Sequence, residues 1–429
     1  MEQKYLDCSR EMLDFIQKSP SVFHVIDNIK ELFKENGFSE LKENEPWKPE
    51  LSKSYYVVRN DSSCIAFKIG EKPQPKGFHI VAAHSDSPTF KVKTNPQIRA
   101  EKQYVLLNTE KYGGMILSSW MDRPLSVAGR IVVSKEGELE TRLVNIDRDL
   151  LVIPNLAIHM NRDMNKGIEY NPQKDMLPLY GINEDGDEDA LLKEVAACAG
   201  VAVEAVMGHD LFLYVREPGR ILGMDREMLV SPRLDDLQCV YASAKAVTDC
   251  IPGEYINICA VFDNEEVGSG TRQGADSTFL EDTLYRICTG LGYERETYLR
   301  MVSESFLISA DNAHGVHPNH PEKADPTNRP ILNGGVVLKY HGSQKYTTDA
   351  VSAAKMKSLC QGAGIPLQTY ANRSDIAGGS TLGNISTAHV SLQSADIGLP
   401  QLAMHAAVET AGSMDTLRAM ELFRTFYKE

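Results

Sequence analysis

The stretch Ile256-Asn257-Ile258-Cys259-Ala260-Val261-Phe262, followed at once by Asp263-Asn264-Glu265-Glu266-Val267-Gly268, decides how the chain is read. An apolar run with a single polar interruption has the length and β-branched content of a strand, and the acidic turn after it ends the run. Helical spacing flanks it, near Leu237 to Thr248 before and near Ser277 to Gly290 after. A strand at Phe306-Leu307-Ile308-Ser309 comes next. A helix near Ala350 to Ala363 then precedes strands at Leu367 to Ala371 and Val390-Ser391-Leu392, and a last helix covers Asp415 to Tyr427. The opening of the chain is similar. Two helices between about Leu6 and Phe38, parted at Ser19-Pro20, lead to strands at Tyr55 to Val58 and Cys64 to Ile69, and then to a buried strand, Phe78 to Ala83, that ends at His84. Such alternation implies an α/β sheet covered by helices. Between about Phe90 and Asp225 it gives way to short strand-like runs, many turns and one helix near Asp189 to Val206, which reads as an inserted β-rich domain.

Composition narrows the class. A chain of 429 residues suits two structural units, and 42% hydrophobic with 24% charged residues is ordinary for a soluble globular enzyme. The net charge of −14 opposes nucleic acid and anionic membrane, and no apolar run approaches the roughly 20 residues that span a bilayer. The N-terminus carries charges and no apolar signal core, so a cytoplasmic protein is expected. Its eight cysteines are scattered without a Cys-x-x-Cys pair and read as reduced core residues.

Five polar clusters fall at the carboxyl ends of these strands or in the loops just after them, where open α/β sheets bind ligands. They contribute His84, Asp235, Glu266, Asp311 and His405. A mixed imidazole and carboxylate set without thiolates suits Zn²⁺, with Mn²⁺ or Co²⁺ as substitutes, and leaves a hydrolytic metal room for water. Asp235 reads as a carboxylate bridging two metals, one held by His84 and Glu266 and the other by Asp311 and His405. Asp86, two residues past His84, reads as the carboxylate that accepts the second ring N–H of that histidine. The adjacent pair Glu265-Glu266 divides the work, with Glu266 on metal and Glu265 as general base toward water. Each piece alone has a blander reading, since a lone His after a strand is usually structural and Glu-Glu in a loop is usually a solvated pair. The other histidines read as structural or surface residues, with His314 and His317 near enough to Asp311 to line the site.

The ordered runs AHSDSP (83–88), SPRLDDL (231–237), DNEEVGSG (263–270), SADNAHGVHPN (309–319), NRSDIAGGSTLG (372–383) and QLAMH (401–405), with YGGMILSSWMDRPLSVAGR (112–130), closely resemble the aspartyl aminopeptidase family, metallopeptidase family eighteen. The resemblance covers nearly the whole chain. It implies an α/β/α sandwich of the zinc-exopeptidase kind, residues 1–90 plus 226–429, interrupted by a dimerisation domain at 91–225. It also implies two zinc ions on His84, Asp235, Glu266, Asp311 and His405, with Glu265 as the catalytic carboxylate and peptides as substrates. Family dimers assemble into a hollow tetrahedral dodecamer, so a homo-oligomer is expected. By the same resemblance His159, in Leu156-Ala157-Ile158-His159-Met160, projects toward a neighbouring subunit's site and touches substrate or metal there, and Lys339 lies near the substrate pocket. Where acid-specific relatives read Asn-Asp-Thr-Pro-Cys-Gly-Thr-Thr, this chain reads Arg373-Ser374-Asp375-Ile376-Ala377-Gly378-Gly379-Ser380-Thr381, which leaves acidic and neutral N-terminal residues both open. The rival readings are a dinuclear-zinc carboxypeptidase or deacylase, which needs a cationic anchor for the substrate carboxylate, and a catalytically idle scaffold, against which the intact Glu265 argues.

Overall fold

The computed structural model describes residues 1–183, 187 and 189–429. Its main sheet runs, in spatial order, through Ser39–Glu40, Ser54–Arg59, Ser63–Lys68, Ile256–Phe262, Phe78–His84, Phe306–Ala310, Gln393–Gly398, Val336–Tyr340 and Leu367–Ala371. The four central strands, from Ile256–Phe262 to Gln393–Gly398, are parallel. Both faces of this centre are covered, and the two-residue period of a strand decides which side chain goes where. Val81, Ala83, Cys259, Val261 and Ile308 pack under the helices Leu234–Asp249, Ala350–Ala363 and Asp415–Lys428. Ile80, Ala82, Ile258, Ala260 and Leu307 pack under Phe279–Gly290 and Arg295–Ser303 on the other face. The result is the α/β/α arrangement anticipated from the alternation.

A second sheet, six strands among the described residues, is antiparallel and joins Glu138–Asn145, Leu125–Lys135, Val206–Val215, Thr89–Ala100, Tyr104–Tyr112 and Leu179–Ile182. It has its own core of Phe90, Leu107, Trp120, Leu125, Ile131, Leu211 and Leu213. Full burial of each such side chain is worth about 1.5–3 kcal/mol. A third, small sheet pairs Arg220–Leu222, Met228–Ser231, Glu409–Gly412, Pro400–Leu402 and Ala313–His314.

Two sequence-based element assignments are corrected. The strand expected at Val390–Leu392 lies instead at Gln393–Gly398, after a helix at Leu382–His389 that the sequence reading left out. The helix expected from Asp189 to Val206 is confined to Ala190–Cys198, because Gly200 at φ 67° turns the chain and Val203–Ala205 continues only as a short 3₁₀ turn.

Candidate active site

Strand order brings the chemistry together. His84 closes its strand opposite Phe262, so the turn Asp263–Glu266 emerges beside it, and Phe306–Ala310 on the other flank delivers Asp311. Glycine at 398 lets the backbone of Asp311 lie against the neighbouring strand, since a Cβ there would collide with the Asp311 carbonyl. Asp235 sits at the start of helix Leu234–Asp249 with non-helical backbone angles, and its N–H donates to Glu409 Oε2 at 3.0 Å. His405 lies between the last two strands of the third sheet at φ 67°, and its N–H donates to Glu409 Oε1 at 2.7 Å. One buried carboxylate, Glu409, therefore positions both residues.

All five residues expected to bind metal converge. Nε2 of His84 lies 3.5 Å from Asp235 Oδ1 and 3.8 Å from Asp311 Oδ1. Nε2 of His405 lies 3.4 Å from Asp235 Oδ2 and 3.4 Å from Glu266 Oε1. Asp235 thus turns one oxygen to His84 with Asp311 and the other to His405 with Glu266, while the ligand atoms of His84, Asp235 and Glu266, the set expected from sequence, also lie within 4.8 Å of one another. The strand of His84 is flanked on one side by the strand that leads to Glu266 and on the other by the strand that delivers Asp311.

The ring nitrogens are sorted by their outer contacts. Nδ1 of His405 lies 2.6 Å from the Gly114 carbonyl, and Nδ1 of His84 lies 3.1 Å from the Asp86 carbonyl. A carbonyl can only accept, so each imidazole is held as the Nδ1–H tautomer with Nε2 facing Asp235. This corrects the role expected of Asp86, whose carboxylate stands 3.4 Å from that ring while its backbone oxygen makes the bond. The Asp86 carboxylate instead accepts the N–H groups of Glu265 and Glu266, both at 3.1 Å, and the Tyr112 hydroxyl at 2.7 Å. Tyr112-Gly113-Gly114 therefore enters the site as a unit from the six-stranded sheet. Tyr112 braces Asp86, Gly113 at φ 79° packs against the Glu266 side chain, and Gly114 orients His405.

Electrostatics show what the cluster lacks. Burial pushes the Glu265 carboxyl up to about 8 and raises Glu266 well above the ordinary range, with the Asp235 charge adding to the rise in Glu266. Burial alone would lower both histidines, yet bonds to Asp235, Asp311 and Asp86 raise His84, and Asp235 with Glu266 brings His405 up to about 10. Oδ1 of Asp235 and Oε1 of Glu266 are buried without a hydrogen-bond partner. Crowded carboxylates with orphaned oxygens aimed at imidazole Nε2 atoms fit divalent cations, and His84, Asp235 and Glu266 offer ligand atoms within 4.8 Å of one another.

These residues line a cavity of about 300 Å³. Glu265, His314, Lys339, Tyr346, Tyr370 and Thr381 complete the wall. Lys339 is buried, with Nζ 3.4 Å from Asp311 Oδ2, and Asp311 raises its pKa against the lowering that burial would impose. His159 lies outside this cavity, exposed in a turn beside exposed Leu156, Ile158 and Met160. The sequence reading missed Glu409 and the bracing role of Tyr112. A carboxylate within Ala406-Ala407-Val408-Glu409-Thr410-Ala411 was the available signal for the first, because a buried acid needs partners.

Comparison with known proteins agrees with this geometry. The family described as aminopeptidase I zinc metalloprotease (M18) matches residues 15–427. The chain is 49% identical over 424 residues to a probable M18 family aminopeptidase 2 of Clostridium novyi (strain NT), covering 98% of each protein. A probable M18 family aminopeptidase 2 of Pseudomonas aeruginosa (strain UCBPP-PA14) is 37% identical, again over 98% of each. Among solved structures, the one described as the Ape4 and Nbr1 complex aligns with TM-score 0.96 and 36% identity over 99% of this chain and 86% of that one. The S. cerevesiae mApe1 dodecamer aligns with TM-score 0.87 and 27% identity over 100% of this chain and 98% of that one. With donors for a divalent metal at its strand ends and a match along nearly its whole length, the chain belongs to the M18 family of zinc metalloprotease aminopeptidases.

Proposed function

We propose that this chain is a two-metal zinc aminopeptidase that removes an acidic or neutral residue from the N-terminus of peptides. The observation that carries the reading is the division of Asp235, one oxygen facing His84 and Asp311 and the other facing His405 and Glu266. Each set would hold one ion. Zinc, when bound, supplies Lewis acidity toward the scissile carbonyl and toward water. Glu265 stands in the same cavity outside both donor pairs, so its carboxylate is free to take the proton of the attacking water and pass it to the leaving amine. The N–H groups of Glu265 and Glu266 fixed on Asp86 keep that carboxylate facing the cavity. Lys339 is shared with Asp311, so an acidic N-terminal side chain must compete for its ammonium and a neutral one need not.

Residues 91–225 are read as the dimerisation unit and the working state as a homo-oligomer in the cytoplasm. The likeness to a dodecamer supports this, as do the exposed apolar residues Leu156, Ile158 and Met160 around His159, a surface suited to another subunit. The two-metal reading is tested with Asp235→Asn, which should lose at least one zinc by elemental analysis together with nearly all activity on aminoacyl substrates. Full zinc occupancy with activity retained rejects it.

A further inference from the structure

Gln401, in the strand Pro400–Leu402, is only 1% exposed and does not line the metal cavity. A buried amide needs partners at both ends. Its Oε1 accepts from Asn312 Nδ2 at 3.0 Å, and its Nε2 donates to Glu409 Oε1 at 3.4 Å. Asn312 follows Asp311 in the chain, is itself buried, and also donates from Nδ2 to the Leu234 carbonyl at 3.0 Å. That carbonyl belongs to the same peptide unit as the Asp235 N–H, whose acceptor is Glu409 Oε2 at 3.0 Å. The bonds therefore close a ring, from Gln401 through Asn312, the Leu234–Asp235 peptide and Glu409 back to Gln401.

This ring gathers residues that come from separate parts of the fold. Asp311 is tied in through Asn312 and Asp235 through its own peptide unit. His405 is tied in through its N–H on Glu409 Oε1, the same oxygen that takes the Gln401 amide. The strand of Gln401 lies between Ala313–His314 and Glu409–Gly412, with Gln401 opposite His314 on one side and Ala411 on the other. Another buried glutamine provides a contrast. Gln238 accepts from the same Asn312 Nδ2 at 3.2 Å and donates to Thr416 Oγ1 at 2.9 Å, so it leads away from the ring to the helix Asp415–Lys428.

We propose that Gln401 is a positioning residue for the metal site, locking Asn312 to Glu409 so that the spacing of Asp311 from Asp235 and His405 is set before an ion binds. The inference rests on the two-metal reading above. Directional bonds around a closed ring keep the three ligand-bearing segments from sliding past one another, which leaves less ordering for the ion to impose. Gln401→Met removes both bonds at nearly constant volume and leaves no neighbour orphaned. The two hydrogens of Asn312 Nδ2 keep the Leu234 and Gln238 oxygens, and Glu409 Oε1 keeps the His405 N–H. Gln401→Asn opens the ring differently, because its amide is one methylene too short to reach both partners.

Zinc-loaded full-length wild type, both Gln401 variants and Gln238→Met are equilibrated with graded nitrilotriacetate, and the zinc retained is measured by elemental analysis. The Co²⁺-loaded forms supply visible absorption spectra. Both Gln401 variants should hold zinc about 10–100-fold more weakly, the usual scale for residues that orient metal ligands, and their Co²⁺ bands should shift. Gln238→Met, which breaks a bond to the same Asn312 outside the ring, should hold zinc as tightly as wild type and keep its spectrum. Zinc held by both Gln401 variants as tightly as by wild type overturns the inference alone. An equal loss in Gln238→Met also overturns it, since breaking any bond at Asn312 would then suffice. Wild type that takes up no zinc overturns the two-metal reading and this inference with it.

Discussion

Asp86 holds the acidic turn and the histidine at the strand end in one frame, its carbonyl oxygen on the ring of His84 and its two carboxylate oxygens on the N–H groups of Glu265 and Glu266. This frame leaves the Glu265 side chain outside the two donor pairs, and the consequence can be measured. Glu265→Gln should lower turnover by about 10²–10⁴-fold, the scale of lost general-base catalysis, with zinc content unchanged. Near-full turnover in that variant would reassign the base. At this scale much was legible in the sequence, because metal chemistry admits few residue types and places them where strands end. The residues His84, Asp235, Glu266, Asp311 and His405, which the fold brings together, could be named as candidates on that ground alone. Their mutual distances could not, since these depend on how the strand ends and the third sheet come together. Glu409 was hidden for a different reason: its partners are the backbone N–H groups of Asp235 and His405, and every sequence has those.

At the scale of elements, apolar runs identified the central strands Phe78–His84, Ile256–Phe262 and Phe306–Ala310, and the one central strand they failed to identify explains the limit of the method. Gln393–Gly398 carries Ser394 and Asp396 at buried positions. Asp396 is tolerated there because Thr347 donates to it through N at 2.6 Å and Oγ1 at 2.8 Å, with Thr381 adding a further bond. Its polarity is satisfied by residues far away in sequence, so no local pattern marks the strand. His79, inside the first central strand, is the opposite case. Its ring stacks between Tyr255 and Phe426 with centroids 3.8 and 4.2 Å away, joining the sheet to helix Asp415–Lys428. Burial, helped by the nearby charge of Lys355, pushes its pKa from 6.5 down to about 3. The folded protein therefore keeps this imidazole neutral while the unfolded chain protonates it near pH 6.5. Its contribution to stability is complete above that pH and is lost as pH falls toward 3. Between pH 6.5 and 4.5 wild type should lose about 2–3 kcal/mol more than His79→Phe in denaturant titrations of the zinc-loaded protein. A difference between the two proteins that does not change with pH would show that His79 is not protonated on unfolding in this range.

For the whole molecule, the open question is what the exposed turn at His159 faces. The turn lies in a stretch without regular secondary structure, and its neighbours Leu156, Ile158 and Met160 present apolar surface to solvent, which an isolated chain has no reason to keep. The proposed oligomer supplies a reason if His159 of one subunit enters the metal cavity of another. An imidazole there would donate to the developing oxyanion or touch a metal, and its loss would cost several kcal/mol of transition-state stabilisation without unfolding the protein. His159→Ala should therefore be nearly inactive with normal zinc content and normal assembly. The geometry in trans is tested by combining two inactive proteins, Glu265→Gln and His159→Ala, through dissociation and reassembly. A mixed pair of subunits contains one site in which the Glu265 of one chain and the His159 of the other are both wild type, so activity should return in proportion to the mixed species seen by native mass spectrometry. If mixed species form and activity stays absent, His159 serves its own subunit or only the contact between subunits.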